Sequence, residues 1–269
     1  MCLAVIACNA HPRWKLVVVA NRDEIHNRPA TAMQPWAQMP SVLAGRDNQA
    51  GGTWLGIRTD GRFALLTNYR DPANIKPTAP SRGKLVENFL LGHSSPMDYL
   101  EILAQTKNAY NGFNLLVSDS SSLVYASNKT ETFAQRVPSG VHGLSNALLN
   151  TPWPKTQKTT SAVKGLLETS AKVTSEDFIG VLRNADPVND ELLPYTGIGL
   201  ERERLLATPF IVSPSYGTRC TTLILRDADQ NTWVQEDSYN AHGKSFHQER
   251  WRSVKAGPWE SFQSWPGTL

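Results

Sequence analysis

The sequence predicts an α+β fold, a sandwich of two sheets flanked by helices. Probable strands and helices come in groups (strands, two helices, strands, two helices, strands), which is not the strict alternation of a doubly wound sheet. Residues 3–7 and 16–20 are almost entirely apolar, so their strands belong in an interior buried on both faces. Asp60-Gly61 stands between two apolar runs, a strong hairpin signal.

The first strand is 2–8, Cys2-Leu3-Ala4-Val5-Ile6-Ala7-Cys8. The second, 15–20, runs into Asn21-Arg22-Asp23-Glu24, and Asn9 and Pro12 suit the turn between them. Residues 25–52 read as a long irregular stretch, broken by prolines and then by Gly45, Gly51 and Gly52. A loop of that length inside a compact domain is more often functional than idle. Thr53–Arg58 and Arg62–Asn68 form the Asp-Gly hairpin, whose second arm delivers Asn68-Tyr69-Arg70-Asp71 to its end, ahead of a Pro-rich stretch at 72–80.

A helix over 81–91 has Leu85, Phe89 and Leu90 on one face and Gly92 as its stop. Ser95-Pro96-Met97-Asp98 opens a second helix with a cap, a proline at the first position and an early acid. Strands resume at 112–117 and 123–126 around the Ser-rich turn 118–122, and again at 132–136 and 141–146. Helical periodicity returns over 155–168 and 175–184, where Thr174 and Asp177 have capping-box spacing. Residues 185–217 are mixed, with a short helix near 200–207. A last hairpin, 218–225 with 232–237, turns at Asp227-Ala228-Asp229; residues 244–252 alternate as a strand does, and a Trp- and Pro-rich end follows.

The 269 residues suffice for a substantial core, and a single domain over 1–269 is expected. With 40% hydrophobic and 19% charged residues the composition is that of a globular protein. The net charge of +3 is weak and the basic residues are scattered, which argues against nucleic-acid binding. The apolar runs are too short for a membrane span, and no positive charge precedes the first of them as in a signal peptide. A cytoplasmic protein is expected. Of the three cysteines, Cys2 and Cys8 lie about 20 Å apart on one strand, far beyond the roughly 7 Å a disulfide needs. No Cys-x-x-Cys or His-x-x-x-His supports a zinc site, so reduced thiols are expected and no cofactor is.

The pointed chemistry is at the start. Removal of Met1 makes Cys2 the amino terminus, with a thiol and an amine on one residue. An α-amino group has an unperturbed pKa near ~8, so it can take the thiol proton and later return it to a leaving amine. Asp23 is the candidate to orient that amine. Asn68 and Asn146, both at predicted strand ends, are candidates for oxyanion donors. Arg219, at a strand start, could hold the thiolate or the carboxylates with its fixed fork. Cys8 and Cys220 read as core residues, and the six histidines show no pairing.

Asn21-Arg22-Asp23-Glu24 behind Met1-Cys2 resembles the NRDE family, which includes the transport and Golgi organisation protein 2 group. Further stretches resemble it in the expected order: Leu66-Thr67-Asn68-Tyr69-Arg70, Ser81-Arg82-Gly83, Gly112-Phe113-Asn114-Leu115, Leu144-Ser145-Asn146 with Pro152-Trp153-Pro154-Lys155, and Gly217-Thr218-Arg219-Cys220-Thr221-Thr222. The resemblance implies a four-layer αββα sandwich of the N-terminal-nucleophile hydrolase type. Its members are linked to haem trafficking and to lipid or acyl-CoA handling.

A more distant resemblance is to bile-salt hydrolases, penicillin V acylases and acid ceramidases, which begin with Cys after processing and carry an Arg-Asn-x-Asp turn. It implies Cys2 as nucleophile, Asn21 and Asp23 as the Asn-x-Asp pair, Asn68 and Asn146 as oxyanion and substrate asparagines, and Arg219 as the late arginine. Asn21, Tyr69 and Arg70 are the substrate-binding candidates. One position departs: that family's first arginine falls on Ala20. Arg22, two residues on, projects to the same strand face and can replace it.

Two readings follow. The first is an N-terminal cysteine amidohydrolase that cleaves a linear, non-peptide amide, or a thioester, through an acyl-enzyme on Cys2. The second is a non-catalytic binding or trafficking protein on the same scaffold, for haem or for an acyl-CoA or lipid ligand. Either takes a small molecule, and neither fixes whether the chain forms a homo-oligomer.

Overall fold

A computed structural model describes residues 2–169, 172–263 and 265. In chain order, β1 (Cys2–Cys8), β2 (Trp14–Ile25), β3 (Ala30–Trp36), β4 (Met39–Asp47), β5 (Leu55–Arg58) and β6 (Phe63–Asn68) precede α1 (Gly83–Leu91) and α2 (Pro96–Ala104). Then come β7 (Phe113–Ser118), β8 (Leu123–Ser127), β9 (Ala134–Arg136), β10 (Gly140–Leu144), α3 (Pro154–Glu168), α4 (Ser175–Val181) and α5 (Leu200–Ala207). Strands β11 (Tyr216–Asp227), β12 (Thr232–Tyr239), β13 (Ser245–Ser253) and β14 (Glu260–Ser261) complete it.

The strands make two seven-stranded sheets, ordered β10-β1-β2-β11-β12-β13-β14 and β3-β4-β5-β6-β7-β8-β9. Side chains alternate across each sheet, so each strand feeds two cores. Ala4, Ile6, Val18, Ala20 and Ile224 meet Leu55, Phe63, Leu65 and Leu116 between the sheets. Leu3, Val5, Val17, Val19 and Leu223 face the other way, against Val163, Leu167, Phe178 and Ile179 of α3 and α4. The second sheet buries Ala64, Leu66, Leu115 and Val124 against Leu85, Phe89 and Leu100 of α1 and α2. The layers run helix, sheet, sheet, helix: the αββα order that the resemblance implied. Double burial explains why β1 and β2 carry unbroken apolar runs.

Two expectations need correction. Residues 25–52 are not irregular: β3 and β4 pair as an antiparallel hairpin. The prolines that hid it are tolerated because β3 is an edge strand, and Pro35 sits at a register shift where a missing N–H costs no ladder bond. Nor does the second strand stop at Ala20, ahead of Asn21–Glu24. That tetrad lies inside β2, paired with β1 at Cys2↔Arg22 and with β11 at Thr221↔Asn21 and Thr218↔Asp23. Strand β11 supplies the partner that keeps the polar tetrad extended.

After β4, the turn at Gly51 and Gly52 (φ +70° and +77°) presses on the start of α1, and Thr53 N–H donates to the Gly83 carbonyl at 3.2 Å. A Cβ on Gly52 would lie 2.4 Å from the Gly83 carbonyl carbon, so only glycine permits this approach. That contact seats Arg82 beside β1.

Candidate active site

Cys2 begins β1 on the inter-sheet face and opens into a cavity of about 370 Å³. Its walls include Arg22, Asp23, Trp54, Asn68 and Arg82. The sheets set these positions. Cys2 faces Arg22 across the β1–β2 ladder. Arg22 shares the face of Ala20, as the strand period requires, and its guanidinium stacks 4.3 Å from the Trp54 ring centroid. Asn68 arrives at the end of β6 from the opposite sheet.

Burial pushes the Cys2 thiol up from its ordinary value, and the Asp23 charge adds to this; Arg22 and the Asp23 backbone N–H pull it down. Asp23 is buried too, and its carboxyl is raised by desolvation, opposed first by Lys155 and then by the Thr218 hydroxyl, which donates to Oδ1 at 2.8 Å. Lys155, in the first turn of α3, is 2% exposed and its ammonium is pushed down to about 8 by desolvation, against the pull of Asp23. Arg70 and Glu203 complete a buried group of four charges, joined at 2.7 Å from Nη1 to Oε2. With those two paired to each other, Asp23 is the carboxylate left to neutralise Lys155.

This has a measurable consequence. Between pH about 8, where folded Lys155 loses its proton, and the ordinary 10.5, the unfolded chain binds more protons at this residue than the folded one. Stability from this group therefore rises with pH across that window, and the penalty is fully present below it. Melting temperatures of wild type and Lys155→Met, followed from pH 7 to 11, are expected to differ by a rise between about 8 and 10.5 that the variant lacks. Parallel curves through that window would contradict the assignment.

The other residues singled out in the sequence do not all meet at Cys2. Asn21 points to the helix layer: its amide donates to the Leu182 and Pro209 carbonyls, both at 2.9 Å, and its carbonyl accepts from Thr221 Oγ1 at 2.6 Å. Asn146 lies two residues beyond β10 and is buried. Its Nδ2 donates to the Asn68 carbonyl at 2.9 Å, and its own carbonyl accepts from Arg70 N–H at 2.7 Å. It braces Asn68 and is not among the cavity walls. Arg219 sits at a register shift in β11 and donates to the Ile25 and His26 carbonyls at 3.0 and 2.8 Å, which staples the exit of β2. Tyr69 and Arg70 line a neighbouring cavity. Cys220 is buried and its thiol is raised well above the ordinary value by desolvation and by Glu236.

Sequence reasoning missed Lys155 and Arg82 as site residues, although both lie in stretches that carried the resemblance. The signal was there for Lys155: a lysine beside the proline that opens a helix stands against the helix dipole, where an acid is favoured. Among the described residues no group of three or more His, Cys, Asp or Glu could hold a metal ion. No described helix is long and apolar enough to cross a membrane. Met1, whose removal the sequence reading requires, lies outside the described residues.

The sequence matches the Transport and Golgi organisation 2 family over residues 1–241. The chain belongs to this family. It is 35% identical to the Transport and Golgi organization protein 2 homolog of Bos taurus, covering 88% of this chain and 93% of that one. The Homo sapiens homolog is 34% identical with the same coverage. The Drosophila melanogaster protein is 27% identical over 88% of this chain and 92% of its own. Among solved structures, this member of the Transport and Golgi organisation 2 family is similar to a Caenorhabditis elegans N-acylethanolamine-hydrolyzing acid amidase ortholog, with a TM-score of 0.48 and 11% identity over 83% of this chain and 92% of that chain. It is also similar to the C2A mutant of a Clostridium perfringens conjugated bile acid hydrolase, with a TM-score of 0.42 and 11% identity over 98% and 97% of the two chains.

Proposed function

We propose that this protein is an N-terminal cysteine amidohydrolase acting on a small linear amide or thioester. The observation that carries the reading is Cys2 at the open end of a central strand, with Asp23, Arg22, Asn68 and Arg82 around one cavity. With Met1 removed, the free α-amine of Cys2 takes the thiol proton. The thiolate attacks the substrate carbonyl, and the carbonyl electron pair moves onto oxygen as the C–S bond forms. The Asn68 side-chain amide donates to that oxyanion, and Asn146 fixes the backbone that carries it. The carbonyl re-forms, the C–N bond breaks, and the ammonium returns its proton to the leaving amine. Water, deprotonated by the same amine, then cleaves the acyl-enzyme and restores the thiol. Asp23 orients the amine, and the Lys155 charge opposes the burial that favours the neutral form of Asp23.

One observation favours the second reading, a carrier of haem or an acyl ligand in the same cavity: burial raises the Cys2 thiol and so disfavours the nucleophilic form. Intact mass before and after a thiol alkylator, with a panel of fluorogenic acyl-coumarin amides, separates the two. The hydrolase reading expects a mass lacking methionine, one fast-alkylating thiol mapped to Cys2, and coumarin release that alkylation stops. A retained Met1 with an inert Cys2 would sink it and leave the carrier.

A further inference from the structure

We propose that a second cavity, beyond the wall formed by Asn68 and Arg82, is a binding site for an aliphatic carboxylate. In the hydrolase this site holds the far arm of the substrate. That assignment of the arm rests on the function proposed above; the binding itself does not.

The second cavity measures about 380 Å³ and shares Asn68, Arg82 and Asn111 with the Cys2 cavity, so one extended molecule can occupy both. Its body is aliphatic, built by Pro72, Ile75, Ile198 and Leu206. Ile75 is 65% exposed, apolar surface that a chain lying in the cavity would cover.

The polar lining is one-signed. Arg70, Arg82 and Arg202 face a single carboxylate, Asp71, and Lys129 neutralises that one at 2.6 Å. Arg202 projects from α5 and makes no ion pair among the described residues, while its neighbour Arg204 is fully engaged with Asp190 and Glu201. Arg70 spends Nη1 on Glu203. Its side chain is only 5% exposed, and its Nε and Nη2 are buried without a hydrogen-bond partner among the described residues. Its guanidinium also lies 4.8 Å from the Trp153 ring centroid, so Arg70 adds positive charge behind the wall and is not itself a reachable fork. Arg82 gives one N–H to the Gly112 carbonyl at 2.9 Å and stands at the neck between the cavities. Aliphatic walls with the Arg202 fork, and Arg82 at the neck, select a chain that ends in a planar anion.

The probes are decanoate and decyltrimethylammonium, which share a chain length and differ in the sign of the head. Binding is measured by calorimetry on the full chain and on its Cys2→Ala variant, so that loss of turnover cannot be mistaken for loss of the site. Decanoate is expected to bind both proteins, at least about tenfold more tightly than the cation. Arg202→Glu, a surface change whose fold is checked by circular dichroism, is expected to erase that preference. Ile198→Asp is expected to lose decanoate. Equal binding of the two probes, a preference that survives Arg202→Glu, or decanoate binding untouched by Ile198→Asp would each overturn the proposal. If decanoate binds as expected and no amide is ever hydrolysed, the site stands and the hydrolase reading falls.

Discussion

Replacing Cys2 with alanine is expected to reduce amide turnover to background, a fall of at least about a thousandfold, while leaving the protein folded. The sulfur is the attacking atom in the proposed reaction, and among the described residues no other cysteine lines the cavity. Cys8 lies at the far end of β1, and Cys220 is enclosed with Glu236. The structural cost is small. Cys2 is half-buried at a strand end, and losing one sulfur there costs about 1 kcal/mol or less, a shift of a few degrees in Tm at this chain length. Cys2→Ser is the sharper variant. It keeps shape and a hydroxyl, but a neutral hydroxyl is a far weaker nucleophile than a thiolate, so it too should be nearly inactive. Turnover that survives both substitutions would remove Cys2 from the reaction. Alanine protein that fails to fold would leave serine as the deciding variant.

The largest loss of stability is expected from Asn21→Ala. This asparagine carries three buried hydrogen bonds, which tie β2 to the Leu182 and Pro209 carbonyls on one side and to Thr221 of β11 on the other. Alanine strands two carbonyls and a hydroxyl where water does not reach. At about 1–1.5 kcal/mol for each bond, and more where an acceptor is left unmet, the cost is about 3–5 kcal/mol. Urea denaturation measures it directly. Arg219→Ala removes bonds to carbonyls at a more open site, so a smaller loss is expected there. An Asn21→Ala protein as stable as wild type but without activity would place Asn21 in the chemistry and contradict its structural role.

The two sheets were legible because burial on both faces writes itself as continuous apolar sequence, and because Asp60-Gly61 permits few other turns. The β3–β4 hairpin was hidden because an edge strand can carry Pro29, Pro35 and Pro40 nearby without breaking a ladder. The tetrad 21–24 looked like a strand end for a different reason. Polar residues normally leave the core, and here β11 supplies Thr218 and Thr221 to satisfy them, a fact that resides almost two hundred positions away. The site was legible where chemistry is unusual for its place: a cysteine at the head of a core strand, an Asn ending a hairpin arm. It was illegible where a residue type is ordinary and only its burial is special. Lys155 and Arg82 look like surface cations until the fold encloses them. Asn21 and Asn146 show the converse: motif positions whose amides brace the backbone while the cavity is lined by others.

The pairing of β2 with β11 also sets an order of events during synthesis. Asn21 meets Thr221 across 200 residues, so the pocket around Cys2 cannot close until most of the chain has left the ribosome. Until then the amino terminus is an extended, hydrated peptide that a methionine-removing enzyme can reach. Once β1 is locked between β10 and β2, Cys2 is held at the end of a strand in a packed sheet. The removal of Met1 that the proposed reaction needs is therefore expected on the nascent chain, before β2 and β11 pair.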